Sequence, residues 1–268
     1  MPTVRSTMPL RDRLRSGQAL IGSFQKLSAY QSTELLGRSA LDYIVIDAEH
    51  AAFSRRELDS CLLAAQATGI PSLVRIADSS TESILAALDM GAAGVVVPRV
   101  NSASKAKAIV AAAHYASHSG SRGYSNSPRA GSYGASSMEE HIRHSDSSVV
   151  VICQIEDRQG VASIDSIVQV KGIHGLLIGP ADLTLSYGEP SPRAPIVAEA
   201  INTVAQAART NRLAVGIALP DLREGSKFAE NGFSFLLVGS DQALIAQGSN
   251  ALAREFHQNI APLIKEKA

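Results

Sequence analysis

Apolar runs of strand length recur through this chain: Ala19–Phe24, Tyr43–Ile46, Ser72–Arg75, Gly94–Val97, Val149–Ile155, Gly175–Ile178, Leu213–Leu219 and Phe233–Val238. Strands with one wet face alternate polar and apolar residues, whereas these read as continuous Val, Ile and Leu, the mark of parallel strands covered on both faces. Segments with helical spacing lie between most of them, at 54–68, 80–90, 102–114, 160–170, 194–210 and 222–231. Alternation of this kind makes an α/β protein. Gly69, Gly91, Gly172 and Gly232 stand at entries to the third, fourth, sixth and eighth runs and read as left-handed helix C-caps. Eight strand–helix units close into a (β/α)8 TIM barrel, while an open doubly wound sheet would show a Gly-rich phosphate fingerprint after its first strand, and none follows Ala19–Phe24.

A length of 268 residues, 45% of them hydrophobic, suits one large domain spanning 1–268. Net charge is zero and Lys and Arg are scattered, which argues against nucleic acid or an anionic membrane as partner and for a small molecule. Met1–Gly17 carries Arg5, Arg11, Asp12, Arg13 and Arg15 without the apolar centre of a signal peptide, and no apolar run reaches the roughly eighteen residues that span a bilayer. A cytoplasmic location is expected. Cys61 and Cys153 lie in apolar surroundings and read as buried free thiols.

In such a barrel the chemistry gathers where strands end. Polar clusters occupy those positions: Asp47-Ala48-Glu49-His50 after the second run, Arg75 closing the third, Gln154-Ile155-Glu156 at the end of the fifth, and Gly179-Pro180-Ala181-Asp182 after the sixth. Glu156 and Asp182 follow neighbouring runs, and two carboxylates aimed at one spot call for a hard divalent ion such as Mg²⁺ or Mn²⁺. The alternative pairs Glu156 with Arg158 and leaves Asp182 capping a helix that begins at Leu183. His50, three residues after Asp47, is the candidate general base, its ring oriented by that carboxylate. Arg75 is suited to grip a carboxylate or enolate oxygen, or to pair with Asp47 or Glu49, and the two roles are compatible. Glu49 is expected to be held by an Arg or by backbone. Free N–H groups at Gly179–Leu183 would receive an anion. Gly239-Ser240-Asp241 resembles a phosphate turn but fits a plain helix N-cap better. Leu219, closing the seventh run, is a further candidate for the substrate pocket.

Two segments fall outside this rhythm. Residues 117–148, rich in Ser, Gly, Arg and His, form a long insertion that is either a solvated excursion or a flap whose Arg122 or Arg129 meets an anionic substrate. Residues 242–267 read as one or two amphipathic helices that could pack on a neighbouring subunit.

Asp47-x-Glu49-His50, Arg75, Val97-Pro98-x-Val100, Arg122-Gly123, Gln154-Ile155-Glu156, Gly179-Pro180-Ala181-Asp182-Leu183 and Gly239-Ser240-Asp241 together resemble the HpcH/HpaI aldolases, metal-dependent class II pyruvate aldolases. The resemblance runs from about Gly22 to Gly248. It implies a barrel of the phosphoenolpyruvate/pyruvate type and a divalent metal (Mg²⁺, Mn²⁺ or Co²⁺) on Glu156 and Asp182. It further implies pyruvate chelating that metal, with Gln154, Gly179, Pro180 and Ala181 around the substrate, Arg75 on its keto or enolate oxygen, and a His50–Asp47 pair moving the proton through water. The implied activity is reversible cleavage of 2-keto-4-hydroxy acids to pyruvate and an aldehyde by a homo-oligomer, hexamer or trimer, with exchanged C-terminal helices. Ala48, where many members have Gly, and Ala52-Phe53, where many have Pro-Asn, border the acceptor's side. Competing readings are a Schiff-base aldolase on Lys26, a citrate-lyase-β-like acyl-CoA lyase, and a non-catalytic keto-acid-binding barrel.

Overall fold

The computed structural model describes residues 6–265. Eight parallel strands, β1 (Leu20–Gln25), β2 (Tyr43–Asp47), β3 (Ser72–Arg75), β4 (Gly94–Val97), β5 (Val150–Ile155), β6 (Gly175–Ile178), β7 (Ala214–Leu219) and β8 (Phe235–Ser240), close in chain order into one barrel. Closure comes from β1 pairing with β8, Leu20 opposite Phe235 and Phe24 opposite Ser240, with a register irregularity between. Strand ends differ from the expected runs by one or two residues, most at β8, which begins at Phe235 and continues to Ser240 because its ladder to β1 runs on to that point.

Alternate strand positions sort into two packed layers, as the pleat requires. Leu20, Tyr43, Val45, Leu73, Val96, Val150, Ile152, Leu177, Phe235 and Leu237 fill the barrel interior. Ile44, Ile46, Val74, Val95, Val97, Val151, Cys153, Leu176, Ile178, Val215 and Ile217 face outward to the helices. The interior is crowded enough to dictate Gly216, where a Cβ would stand 2.2 Å from the Phe235 ring.

The main outer helices are α2 (Tyr30–Arg38), α3 (Arg55–Thr68), α4 (Thr81–Asp89), α5 (Ala103–Ala113), α9 (Pro180–Tyr187), α10 (Pro195–Thr210) and α12 (Asp241–Glu255). Ser54, Ser80, Ser102 and Ser240 each cap a helix start by accepting a backbone N–H. Helix α2 was not expected; its N-cap is Ala29, with no capping side chain to announce it. A short α1 (Leu10–Arg15) sends Leu10 and Leu14 into the interior cluster and plugs the end where the strands begin. The expected helix at 160–170 is two pieces, α7 (Arg158–Ala162) and α8 (Ile164–Ile167), because Asp157 caps the first by accepting from Gly160 and the chain turns at Ser163. That at 222–231 shrinks to α11 (Gly225–Glu230). All four entry glycines hold positive φ: 70° at Gly69, 93° at Gly91, 96° at Gly172 and 81° at Gly232. Gly172 follows a turn rather than a helix end.

The insertion at 117–148 is more ordered than a loop. It holds two 3₁₀ stretches, Ala116–His118 and Arg129–Gly134, and α6 (Met138–Ser148), which starts with a capping box between Ser137 and Glu140. It joins α5 to β5, at the end of the barrel where strands begin. The tail is α12, one π-helical turn (Phe256–Ile260) and α13 (Ala261–Lys265); residues 266 and 267 of the expected segment, like the start of the chain through Arg5, lie outside the described residues. Among described residues no helix is long and apolar enough to cross a membrane, and Cys61 and Cys153 are buried and free.

Candidate active site

Asp47 and Arg75 are the last residues of β2 and β3 and stand directly opposite in the ladder. Both follow interior positions by two, so both side chains point into the mouth of the barrel. They form a fork: Arg75 Nε donates to Asp47 Oδ1 at 2.9 Å and Nη2 to Oδ2 at 2.7 Å. The Arg75 guanidinium also lies over the Phe24 ring, 4.4 Å from its centre, a support the sequence did not advertise. Burial alone would raise the Asp47 carboxyl; the Arg75 fork, the His50 N–H and Lys26, whose Nζ is 3.4 Å away, hold it below its ordinary value instead. These bonds use Nε and Nη2 and leave Arg75 Nη1 uncommitted.

The expected Asp47–His50 side-chain pair does not form. Asp47 Oδ1 accepts the backbone N–H groups of Glu49 and His50, at 3.3 and 3.2 Å, so it shapes the turn rather than orienting the imidazole. The His50 side chain is half exposed at the mouth, with Nε2 3.6 Å from Glu49 Oε2. Glu49 is held by arginine as expected, though by two: Arg99 Nη2 donates to it at 3.1 Å and Arg75 Nε lies 3.6 Å away.

Gln154 and Glu156 continue the inward parity of Val150 and Ile152. Glu156 is buried; its Oε1 accepts the Arg99 N–H at 2.9 Å and its Oε2 a hydrogen bond from Gln154 Nε2. Burial pushes the Glu156 carboxyl up to about 7; Glu49 and Asp182 push the same way, against the Arg99 N–H and Gln154. Asp182 sits exposed in the first turn of α9. That helix begins at Pro180, three residues earlier than the capping alternative supposed, with Gly179 at its N-cap, so Asp182 is not a cap. Arg158 stacks over Tyr187 instead of pairing with Glu156. A Cβ at Gly179 would come within 2.9 Å of Glu156 Oε2 and 3.0 Å of Gln154 Nε2, so the backbone here runs close beside both side chains.

These residues fit a hard cation. Three carboxylates, Glu49, Glu156 and Asp182, crowd one region, and the buried acceptors Glu49 Oε2 and Gln154 Oε1 have no hydrogen-bond partner. Among described residues no group of three His, Cys, Asp or Glu side chains is gathered tightly enough to hold a metal, so an ion on Glu156 and Asp182 would complete its shell with water and substrate.

Other candidates lie elsewhere. Arg122 is buried at the far end of the barrel, donating to Asp89 and Ser145 at 2.8 Å each and lying over Tyr115; Arg129 is paired with Asp59. Both are structural, since the connection carrying them runs where strands begin. Leu219 packs in the outer shell, as does half-buried Phe53. Lys26 is engaged by Asp47. Ser240 caps α12, and Asp241, buried, accepts from the Lys26 and Leu27 backbone at 2.8 and 3.1 Å and from Ser32 Oγ at 2.6 Å. The missed residues are Phe24 and Arg99. Inward parity with Leu20 marks Phe24, whereas nothing in the sequence separates Arg99 from a surface arginine.

Comparison with known proteins gives concordant results. The profile described as HpcH/HpaI aldolase/citrate lyase matches residues 20–248. The hydroxypyruvate/pyruvate aldolase of Pseudomonas aeruginosa is 33% identical, covering 92% of this chain and 91% of its own; the 5-keto-4-deoxy-D-glucarate aldolase of Escherichia coli is 30% identical, covering 91% and 94%. A solved structure of an HpcH/HpaI aldolase/citrate lyase family protein from Burkholderia cenocepacia superposes with a TM-score of 0.88 at 28% identity, over 93% of this chain and 99% of that one.

Proposed function

This chain belongs to the HpcH/HpaI aldolase/citrate lyase family and is an enzyme of the aldolase type, and from this we infer that it reversibly cleaves 2-keto-4-hydroxy acids to pyruvate and an aldehyde. The observation that carries the reading is the buried Glu156, its carboxyl raised to about 7 among acidic neighbours and unpartnered acceptors, beside the Arg75–Asp47 fork. Glu156 and Asp182 would hold a divalent ion, Mg²⁺, Mn²⁺ or Co²⁺. When bound, that ion acts as a Lewis acid toward the keto oxygen, where charge develops.

The chain's own groups do the rest. Arg75, fixed by Asp47 and Phe24, offers Nη1 to the keto oxygen as it becomes an enolate oxygen. In cleavage the substrate's 4-hydroxyl gives its proton, through water, to His50 Nε2. The C3–C4 bond breaks, its electron pair enters the pyruvate enolate, and the aldehyde departs; protonation at C3 then yields pyruvate. Backbone N–H groups at the start of α9, with Gln154, Gly179, Pro180 and Ala181, receive the pyruvate carboxylate end. We take the protein to be cytoplasmic and a homo-oligomer, trimer or hexamer, whose C-terminal helices exchange between subunits; Leu244, Ile245, Leu252, Phe256, Ile260, Leu263 and Ile264 are all exposed along that tail.

The test is binding before turnover. Mg²⁺ or Mn²⁺ should raise the melting temperature of the wild type and not of Glu156→Gln, and a chelator should abolish aldol cleavage until metal is restored. Full activity in chelator sinks the metal reading, and a borohydride-trapped pyruvate adduct on Lys26 would replace it with a Schiff base.

A further inference from the structure

Lys26 directly follows β1 and is fixed at both its backbone and its side chain. Its N–H donates to Asp241 Oδ1 at 2.8 Å, and the same carboxylate takes the Leu27 N–H at 3.1 Å. The side chain turns inward, with Nζ 5.6 Å from the centre of the Phe24 ring and 3.4 Å from Asp47 Oδ2. That oxygen also receives Arg75 Nη2 at 2.7 Å, so an ammonium and a guanidinium share one buried oxygen and one aromatic ring. Among described residues Asp47 is the one carboxylate within ion-pair distance of Lys26.

Asp47 does not need a second cation for its own sake, since Arg75 bonds it twice and two backbone N–H groups donate to it. The balance changes once Glu49 is included. Arg75 Nε lies 3.6 Å from Glu49 Oε2, and the side chains of Glu49 and Asp47 are 5% and 0% exposed. One guanidinium therefore faces two buried carboxylates, a group of net negative charge. Arg99 also reaches Glu49, but through a side chain 66% exposed, where water screens its charge. An oxyanion forming at Arg75 Nη1 would meet the surplus negative charge at short range in a poorly screened site. Lys26, 28% exposed, brings the compensating positive charge and makes the four groups neutral.

Building on the aldolase reading, we propose that Lys26 is a positioning residue for enolate formation: it offsets the second carboxylate, so that Arg75 meets the developing oxyanion as a cation and not as part of an acidic cluster. When pyruvate enolises, the C3–H bond breaks, the proton passes to water and the electron pair enters the enolate. Lys26 forms no bond to substrate in this step. Only its charge is used, relayed through Asp47 and Arg75.

The experiment uses the Mg²⁺-loaded wild type, Lys26→Met and Lys26→Arg, and compares dissociation constants for pyruvate and for oxalate, a planar dianion that mimics the enolate. Lys26→Met should weaken oxalate by about tenfold or more and pyruvate by less than about threefold, because the lost charge acts on the added negative charge. Exchange of pyruvate C3 hydrogens in D₂O should slow in the same proportion as oxalate weakens. Lys26→Arg should keep most of both, which a lysine nucleophile would not. Equal weakening of the two ligands in folded Lys26→Met, or no weakening, overturns the inference. So does Lys26→Arg behaving like Lys26→Met, or a borohydride-trapped pyruvate adduct on Lys26. Should Lys26→Met show no melting transition, Lys26→Gln takes its place, and unfolding of both assigns Lys26 to stability and overturns the inference. The wild type separates the two levels. C3 exchange in the wild type that is unaltered in Lys26→Met refutes the role of Lys26 alone, whereas no exchange in the wild type refutes the aldolase reading and this inference with it.

Discussion

Asp47 illustrates how much of the geometry of a barrel mouth one residue can hold. It ends β2 opposite Arg75, so its two oxygens are consumed by a guanidinium and two backbone N–H groups before any substrate arrives. Arg75→Lys keeps the charge but surrenders the two-point hydrogen bonding to Asp47 and the flat contact with Phe24; kcat for aldol cleavage should fall roughly a hundredfold, as for a lost transition-state donor. His50→Ala should slow cleavage by about 10²–10⁴-fold while leaving metal-induced stabilisation intact; unchanged kinetics would make His50 a spectator. A different histidine governs acid stability. His174 is buried, accepts the Val151 N–H on Nδ1 at 3.0 Å, and is pushed down to about 3 by burial first and then by the positive charges of Arg11, His114 and Arg15. Below its unfolded value the unfolded chain binds this proton and the folded one does not, so stability is lost as pH falls from about 6.5 toward 3. Between pH 7 and 4.5 the loss should be on the order of 2 kcal/mol. In His174→Asn, which retains an acceptor, urea titrations at both pH values should show that part of the difference gone.

At the scale of elements, short polar contacts decide where helices sit relative to strands. Asp241 gathers two N–H groups and a hydroxyl from the β1–α2 segment and so ties the first and last units of the barrel together. Asp241→Ala leaves these donors buried without an acceptor and should cost roughly 2–4 kcal/mol, read as a lower denaturation midpoint with unchanged slope. The insertion between α5 and β5 owes its last helix to the Ser137–Glu140 box. Arg122 and Arg129 within it are paired with Asp89 and Asp59. Composition marked this segment as exceptional, but only its connectivity, from the foot of a helix to the foot of a strand, shows that it sits at the end of the barrel opposite the catalytic mouth.

For the whole molecule, the barrel closes without help from the tail, and α12 with the turns after it leaves a row of apolar side chains in water, Leu252 at 70% exposure and Leu263 at 59% among them. A row of that kind is stable only when covered. Sedimentation should therefore give a species several times the 28.2 kDa chain, and Leu252→Glu should shift it toward monomer without changing the far-ultraviolet circular dichroism. A wild-type monomer at micromolar concentration would remove the proposed exchange of C-terminal helices.

Strand count, order and the inward set were legible in the chain because continuous apolar runs admit few arrangements, and parity from Leu20, Val45, Leu73 and Ile152 carries forward to Phe24, Asp47, Arg75 and Gln154. That Glu156 and Asp182 come near each other was legible for the same reason, since they follow adjacent staves. Pairing between side chains was legible only in part: an Arg75 pair with Asp47 or Glu49 and an arginine on Glu49 were expected and form, whereas the expected Asp47–His50 side-chain pair does not. Whether Asp47 turns to His50 or to Arg75 depends on which lies opposite in the ladder, a relation between strands 28 positions apart that local sequence does not encode. Arg99 comes to the mouth only because a left-handed residue after Pro98 meets Glu156 from the next strand. Burial, too, belongs to the tertiary structure: a carboxylate stands exposed at Asp182 and buried at Glu156, and the enclosure of the second, with Glu49 and Asp182 nearby, raises it to about 7.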